Sequence, residues 1–176
     1  MFNIIYALLG TIFNFMNTSE PQSPADKAIN IVISKTADEF QNKYHLSLGG
    51  IGGSGNDTTI KTSSISFSIN QTLSIADTRQ LIIACAREFL KNINEDSNLA
   101  SYLVVQPFTE KNIKITIAMT NSDNSTTFDP QLAGVSLDKG VIRYFTNDPD
   151  KPHTFKSVIK ESYEEAIKKV GSSETL

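Results

Sequence analysis

The sequence predicts an α+β fold, a single antiparallel sheet of about four to five strands that is covered on one face by helices. Amphipathic segments with a helical period begin, divide and end the predicted domain, and shorter segments between them alternate apolar and polar residues. Such alternation is typical of a sheet with one buried and one solvated face. The predicted order of elements is α-β-β-α-β-β-β-α.

The composition is that of one folded domain. A chain of 176 residues has about the length of one domain and buries a core large enough to fold without disulfides or metals. Its content of 39% hydrophobic and 20% charged residues is that of a globular protein. The net charge of −3 provides no basic surface to neutralise phosphates, so nucleic acid is not an expected partner.

Residues 1–16 are almost wholly apolar and precede a polar, turn-rich stretch, which is the layout of an export signal and its linker. Against that interpretation, no Lys or Arg occurs before Lys27 and no small-x-small cleavage site precedes Glu20. A retained helix that contacts a membrane, and a segment that packs within the protein or follows a wrongly assigned start, stay open as alternatives. We therefore expect three regions, a signal-like or membrane-associated segment at 1–22, one globular domain at 23–171 and a disordered tail at 172–176.

The first helix has a strong start signal, with Ser23 as N-cap and Pro24 at the first helical position, and it runs to about Tyr44. Residues 45–48 alternate polar and apolar side chains and predict a short strand. The glycine-rich residues 49–57 then indicate a flexible connection.

The middle of the chain contains a strand followed by a helix. Residues 64–70 predict a strand whose buried face carries Ile65, Phe67 and Ile69. Ser74 and Asp77 have the spacing of a capping box, with Asp in place of Glu, and they begin a helix that ends near Asn94. A further helical turn is expected at residues 99–103.

The last part of the chain contains three more strands and a helix. Residues 112–120 alternate most clearly and predict the strongest strand of the chain. Residues 132–137 and 141–146 flank a Gly-containing turn and are expected to pair as a hairpin. The apolar spacing of residues 153–170 predicts the final helix.

The glycine run contains a literal match to a dinucleotide-binding motif, G-x-G-x-x-G, at residues 50–55. That motif binds a pyrophosphate because it begins a helix whose first amides face the ligand. Here the next segment is β-branched and alternating, which predicts a strand. We therefore expect a mobile hairpin loop and no nucleotide cofactor.

The residues that most often carry catalysis or metal binding are few. His45 and His153 are the only imidazoles, and neither has a metal-ligand spacing or a neighbouring nucleophile motif. Cys85 is the only cysteine, and its apolar neighbours at helical spacing predict a small core residue. We therefore assign no catalytic, cofactor-binding or metal-binding residue.

Two further groups of polar residues have a structural explanation. The oxygen-rich residues 121–125 and 147–150 contain ligand types that calcium prefers, but they complete no known calcium loop and are ordinary turn formers. A set of small hydroxyl residues is expected on the outward face of the sheet, where they tolerate water rather than form a recognition surface: Thr62, Ser64, Ser66, Ser68 and Thr116.

The leading functional hypothesis is a non-enzymatic, bacterial-type domain that is exported, periplasmic or secreted, or else membrane-associated through residues 1–16, and that binds another protein. One alternative is an enzyme or small-ligand-binding protein whose site assembles only in three dimensions, from Asp123, Asp148, Asp150 and His153. Another is a structural subunit that oligomerises through its N-terminal helix. The sequence does not predict an oligomeric state.

Overall fold

The computed structural model of the chain describes residues 22–151 and 153–173. These ranges contain four helices and six strands. The helices are α1 (Pro24–Tyr44), α2 (Ile75–Glu95), α3 (Ser97–Ala100) and α4 (Tyr163–Ser173). The strands are β1 (Ser47–Asn56), β2 (Thr59–Ile69), β3 (Ile113–Met119), β4 (Gly134–Asp138), β5 (Val141–Asn147) and β6 (Phe155–Ser162).

The six strands form one mixed sheet in the order β1-β2-β3-β4-β5-β6. The α+β class is confirmed, but the prediction of an antiparallel sheet of four to five strands is wrong, because β2 and β3 are parallel neighbours and β6 adds a sixth strand. β2 and β3 are parallel because the connection between them contains α2 and α3, which cross over one face of the sheet. This crossover returns the chain to the end of the sheet at which β2 began, so that β3 runs in the same direction.

Local capping places the two long helices as predicted. The Ser23 side chain accepts a hydrogen bond at 3.1 Å from the amide of Asp26, and the Ser74 side chain accepts one at 3.1 Å from the amide of Asp77. α1 ends where His45 adopts a left-handed φ of 57° and donates its amide hydrogen to the carbonyls of the last turn.

The helices cover one face of the sheet and enclose the core with it. Ile65 and Phe67 of β2 and the inward positions of β3 are buried, and they pack in one hydrophobic cluster with side chains of α1 and α2. The members with the largest buried volume include Phe40, Phe89, Ile65, Ile82, Ile115 and Ile117. Because β2 to β5 direct an apolar face to this layer, the outward positions of β2 and β3 are left mostly to small and polar residues.

The hairpin between β4 and β5 is confirmed. Asp138 and Val141 face each other across the turn, and Lys139 and Gly140 both have positive φ angles, of 52° and 76°. Two successive positive φ angles match the twist of the two strands, which is the geometry that a two-residue hairpin loop favours.

The glycine run is a strand, so the prediction of a flexible connection at residues 49–57 is wrong. β1 pairs with β2 along this whole stretch. The two backbones approach so closely that a Cβ at Gly53 would lie 2.6 Å from the Thr62 carbonyl oxygen, and one at Gly55 would lie 2.0 Å from that of Thr59. Glycine therefore permits the close pairing of β1 with β2. The glycines also remove the alternation of apolar and polar side chains from which a strand is predicted.

The predicted helix at residues 153–170 is also wrong in its first half, which is the strand β6. The helix begins only at Tyr163, because Ser162 and Glu165 cap it reciprocally. The amide of Glu165 donates to the Ser162 hydroxyl at 3.2 Å, and the amide of Ser162 donates to the Glu165 carboxylate at 2.8 Å. The helical turn expected at residues 99–103 lies slightly earlier, in α3, and Leu103 instead forms a bridge to β2.

The apolar N-terminal residues 1–16 lie outside the described residues, so the expectations for export or membrane contact stay predictions. In the part of the chain that the structure describes, every helix is too short or too polar to span a lipid bilayer.

Candidate functional site

The sheet has two edge strands, β1 and β6, and they differ in what they offer to a partner. β1 consists largely of glycine and serine, so it presents few side chains. β6 pairs with β5 on one side, and on its other side the described residues provide no further strand. β6 is therefore the edge that combines unpaired main-chain groups with a full set of side chains.

The hydrogen bonds of β5 show which residues of β6 face away from the sheet. The carbonyl of Phe145 accepts a hydrogen bond at 2.8 Å from the residue that precedes β4. The main-chain groups of the next residue, Tyr144, therefore face β6, where Ile159 lies opposite. Since main-chain groups alternate along a strand, Val158 and Lys160 direct their N–H and C=O groups away from β5.

Apolar side chains are exposed on both faces of this edge. Phe155 and Val158, on the outer face of the sheet, are 48% and 44% exposed, and Ile159, on the helical face, is 48% exposed. The ring of Phe155 packs against Phe145 with 4.4 Å between ring centroids. A strand that ends a sheet normally protects itself with charges or proline, and β6 does carry Lys156 and Lys160. The apolar side chains exposed beside these charges give the edge a surface suited to association.

On the helical face, a groove of about 500 Å³ lies between β6 and the start of α2. Three parts of the chain supply its apolar lining. Leu73 and Ile75 come from the start of α2 and the residues just before it, Leu132 from the loop before β4, and Tyr144 and Ile159 from the inward positions of β5 and β6. Leu132 and Tyr144 are buried, whereas Ile159 stands at the rim beside the open edge. The groove therefore continues the exposed surface of β6 towards the core.

The opposite wall of the groove is polar. The Thr146 hydroxyl donates a hydrogen bond at 2.9 Å to the Asp129 carboxylate and lies 3.0 Å from the Ser157 hydroxyl. Asp129 also lies 3.8 Å from the Lys156 ammonium group. The Thr146 hydroxyl also accepts a hydrogen bond at 3.2 Å from the Ser157 amide and is fully occupied. The Asp129 carboxylate and the Ser157 hydroxyl retain acceptor capacity for an entering polar group.

A buried charged cluster anchors β6 to the helices. The side chain of Glu161 is only 5% exposed, and its carboxylate accepts hydrogen bonds from Arg79 of α2 at 2.7 Å and from Lys169 of α4 at 2.6 Å. The Tyr144 hydroxyl donates to the same carboxylate. Burial alone would raise the pKa of Glu161, but the hydrogen bonds from Arg79, Lys169 and Tyr144 outweigh it and hold the pKa below its ordinary value. Both carboxylate oxygens are thus occupied by structural partners.

A second cavity, between α1 and α2, has only polar and charged lining residues, and four of the six are paired across the two helices. Lys43 binds Glu88, and Asn92 donates a hydrogen bond at 2.7 Å to Glu39. These contacts join the two helices and leave no converging set of reactive groups in this cavity.

The four residues of the enzymatic alternative lie outside the two cavities described above. Asp123 and Asp148 each accept a hydrogen bond from a main-chain amide two residues later, as turn-forming residues do. The hydrogen bonds to Ser125 lower the pKa of Asp123. Asp150 and His153 are exposed, and none of the four lines either of the cavities described above.

The other residues considered from sequence occupy structural positions. His45 is exposed at the end of α1, and Cys85 is fully buried in α2, as predicted. Burial raises the pKa of the Cys85 thiol well above its ordinary value, which suppresses the reactive thiolate. Among the described residues, no group of three or more His, Cys, Asp or Glu side chains is placed to bind a metal ion.

The motif at residues 50–55 lies within β1 and is followed by β2, so no helix N-terminus faces it. The hydroxyl residues predicted to share the outward face do so: Ser64, Ser66 and Ser68 lie opposite Lys114, Thr116 and Ala118 of β3. Their partial exposure agrees with a solvated face that the described helices do not cover.

The edge strand itself was missed from sequence, although two signals were present. Ser162 and Glu165 have the spacing of a capping box, which places the start of the last helix after residue 162. The seven residues of β6 before that box also contain β-branched and aromatic side chains suited to a strand. Comparison of the chain with family models, with curated proteins and with solved structures finds no match.

Proposed function

We propose that the chain is a protein-binding domain that captures an extended segment of a partner as an additional strand beside β6. The observation that carries the proposal is the edge itself, where Val158 and Lys160 direct main-chain donors and acceptors away from the sheet between exposed apolar side chains. An unpaired strand with exposed apolar residues is a template for pairing with another chain.

The groove supports the same proposal. In binding by strand addition, main-chain hydrogen bonds supply affinity and pockets for alternate side chains supply specificity. A residue paired beside Ile159 would point to the helical face, where the apolar lining and the polar side chains of Asp129 and Ser157 offer it both kinds of contact.

In the test, the full 176-residue chain is used to select short peptides from a random displayed library, and hydrogen exchange then locates where the selected peptides bind. We expect binding to slow the hydrogen exchange of the Val158 and Lys160 amides, because both gain hydrogen-bond partners. Val158→Pro should fold normally, since the N–H it removes faces away from β5, and should abolish peptide binding.

Leu48→Ala is the matched control, because Leu48 is 49% exposed on the opposite edge strand and should not affect binding. A library that yields no binder, peptides that bind Val158→Pro as tightly as the wild type, or exchange protection confined to another element would each contradict the proposal.

A further inference from the structure

The outer face of the sheet carries an uncompensated positive charge next to the edge. Arg143 of β5 and Lys160 of β6 lie directly opposite each other and point to the same face. Like charges in such a pair repel, and neither side chain makes an ion pair within residues 22–151 and 153–173. On the side of Lys160 that faces away from Arg143, the next position belongs to whatever pairs with β6.

Farther from the edge, the same face also carries a cation whose charge is compensated. Lys114 of β3 lies directly opposite Asp138 of β4. The chain as a whole is acidic, with a net charge of −3, so the positive charge at Arg143 and Lys160 is a local feature and does not reflect the overall composition. Charge complementarity across an interface selects partners and speeds their encounter.

We infer that the segment captured by β6 is acidic, with a carboxylate opposite Lys160 and an apolar residue two positions away, opposite Val158. This inference rests on the proposed function and names the chemistry of its partner. Both positions belong to the outer face because Val158 and Lys160 share it. The residue between them points to the groove on the helical face, beside Ile159.

Two occupants present in the chain itself fit less well. A second copy pairing through β6 brings its own Lys160 and Arg143 to the same surface and adds to the repulsion. The N-terminal residues 1–16 are apolar and contain no carboxylate, since the first acidic residue of the chain is Glu20. The charge pattern therefore favours a separate acidic peptide.

The test compares two synthetic peptides of alternating valine and threonine that differ at one outward position, which is either glutamate or lysine. Binding to the full chain is measured by fluorescence anisotropy at low ionic strength and again in high salt. We expect the glutamate peptide to bind about fivefold more tightly than the lysine peptide, and high salt to reduce the difference. Lys160→Glu should reverse the preference.

Lys114→Glu is the matched control, because it makes the same charge change on the same face at a position that an added strand does not adjoin. It should keep the preference for glutamate. Equal binding of both peptides to the wild type, with Lys160→Glu unchanged, would overturn the inference and leave strand addition standing. Two other results would also overturn the inference: binding of neither peptide, or self-association of the wild type that Val158→Pro abolishes. In both cases the library selection alone would test whether β6 binds an added strand.

Discussion

The buried carboxylate of Glu161 holds together three elements around the edge strand, and its replacement by glutamine measures that anchor. Glu161→Gln keeps the shape of the side chain but removes its charge, so Arg79, whose side chain is 18% exposed, loses its carboxylate partner. Breaking a fully buried pair costs about 3–5 kcal/mol. The partial exposure of Arg79 reduces this cost, and Lys169, which is 55% exposed, adds little to it. We therefore expect a total loss of about 2–3 kcal/mol in the free energy of unfolding.

A loss of this size lowers the melting temperature of a domain of this length by about 5–10 °C, which denaturant and thermal melts resolve easily. Glu164→Gln provides the control, since Glu164 is exposed in the first turn of α4 and its replacement should leave the melt unchanged. If Glu161→Gln has the same melting temperature as the wild type, the charged cluster does not anchor β6 and the reasoning fails.

The dependence on pH gives an independent readout of the same carboxylate. The folded-state pKa of Glu161 is lower than its unfolded value, so its stabilising effect is complete above the unfolded pKa and is lost as pH falls through the folded pKa. Below about pH 5, the wild type should therefore lose stability faster than Glu161→Gln, and the two melting curves should converge. Parallel pH profiles would contradict the assignment.

Three further outcomes are expected. Cys85→Ala should cost about 1 kcal/mol, and the native thiol should react slowly with labelling reagents, because Cys85 is buried; rapid labelling would place it at the surface. Gly55→Ala should cost about 1–3 kcal/mol in a denaturant melt because its Cβ meets the Thr59 carbonyl, whereas Gly171→Ala, whose Cβ meets no atom within 4 Å, should not destabilise the fold. A chain that starts at Ser23 should still unfold cooperatively, since the core cluster lies within the described residues; an insoluble or molten product would assign residues 1–22 to the core.

The elements that the sequence predicted well are those specified by local chemistry. Ser23 and Ser74 cap their helices through residues three positions away, and the turn at Gly140 needs only its own backbone freedom. The strand at residues 112–120 was predicted because one of its faces is buried and the other is exposed to solvent, which gives the sequence a clear alternation of apolar and polar residues. In each case the information lies within a few neighbouring residues.

What the sequence could not predict depends on partners far along the chain. Val158 and Ile159 are adjacent and both exposed, so β6 shows no period of two and resembles the apolar spacing of the helix that follows it. The parallel pairing of β2 with β3 requires the course of the crossover to be known. The candidate site combines that edge with a groove between β6 and α2, and no single segment contains its pattern.

The glycine-rich edge also reverses a common expectation about evolutionary tolerance. Solvent-exposed positions usually accept most amino acids, because a new side chain can extend into water. At Gly53 and Gly55 the direction that a side chain would take is filled by the backbone of β2, although both residues are exposed. A complete mutational scan should therefore show β1 to be as intolerant as the core at these positions, whereas the exposed positions of β6 should accept many substitutions.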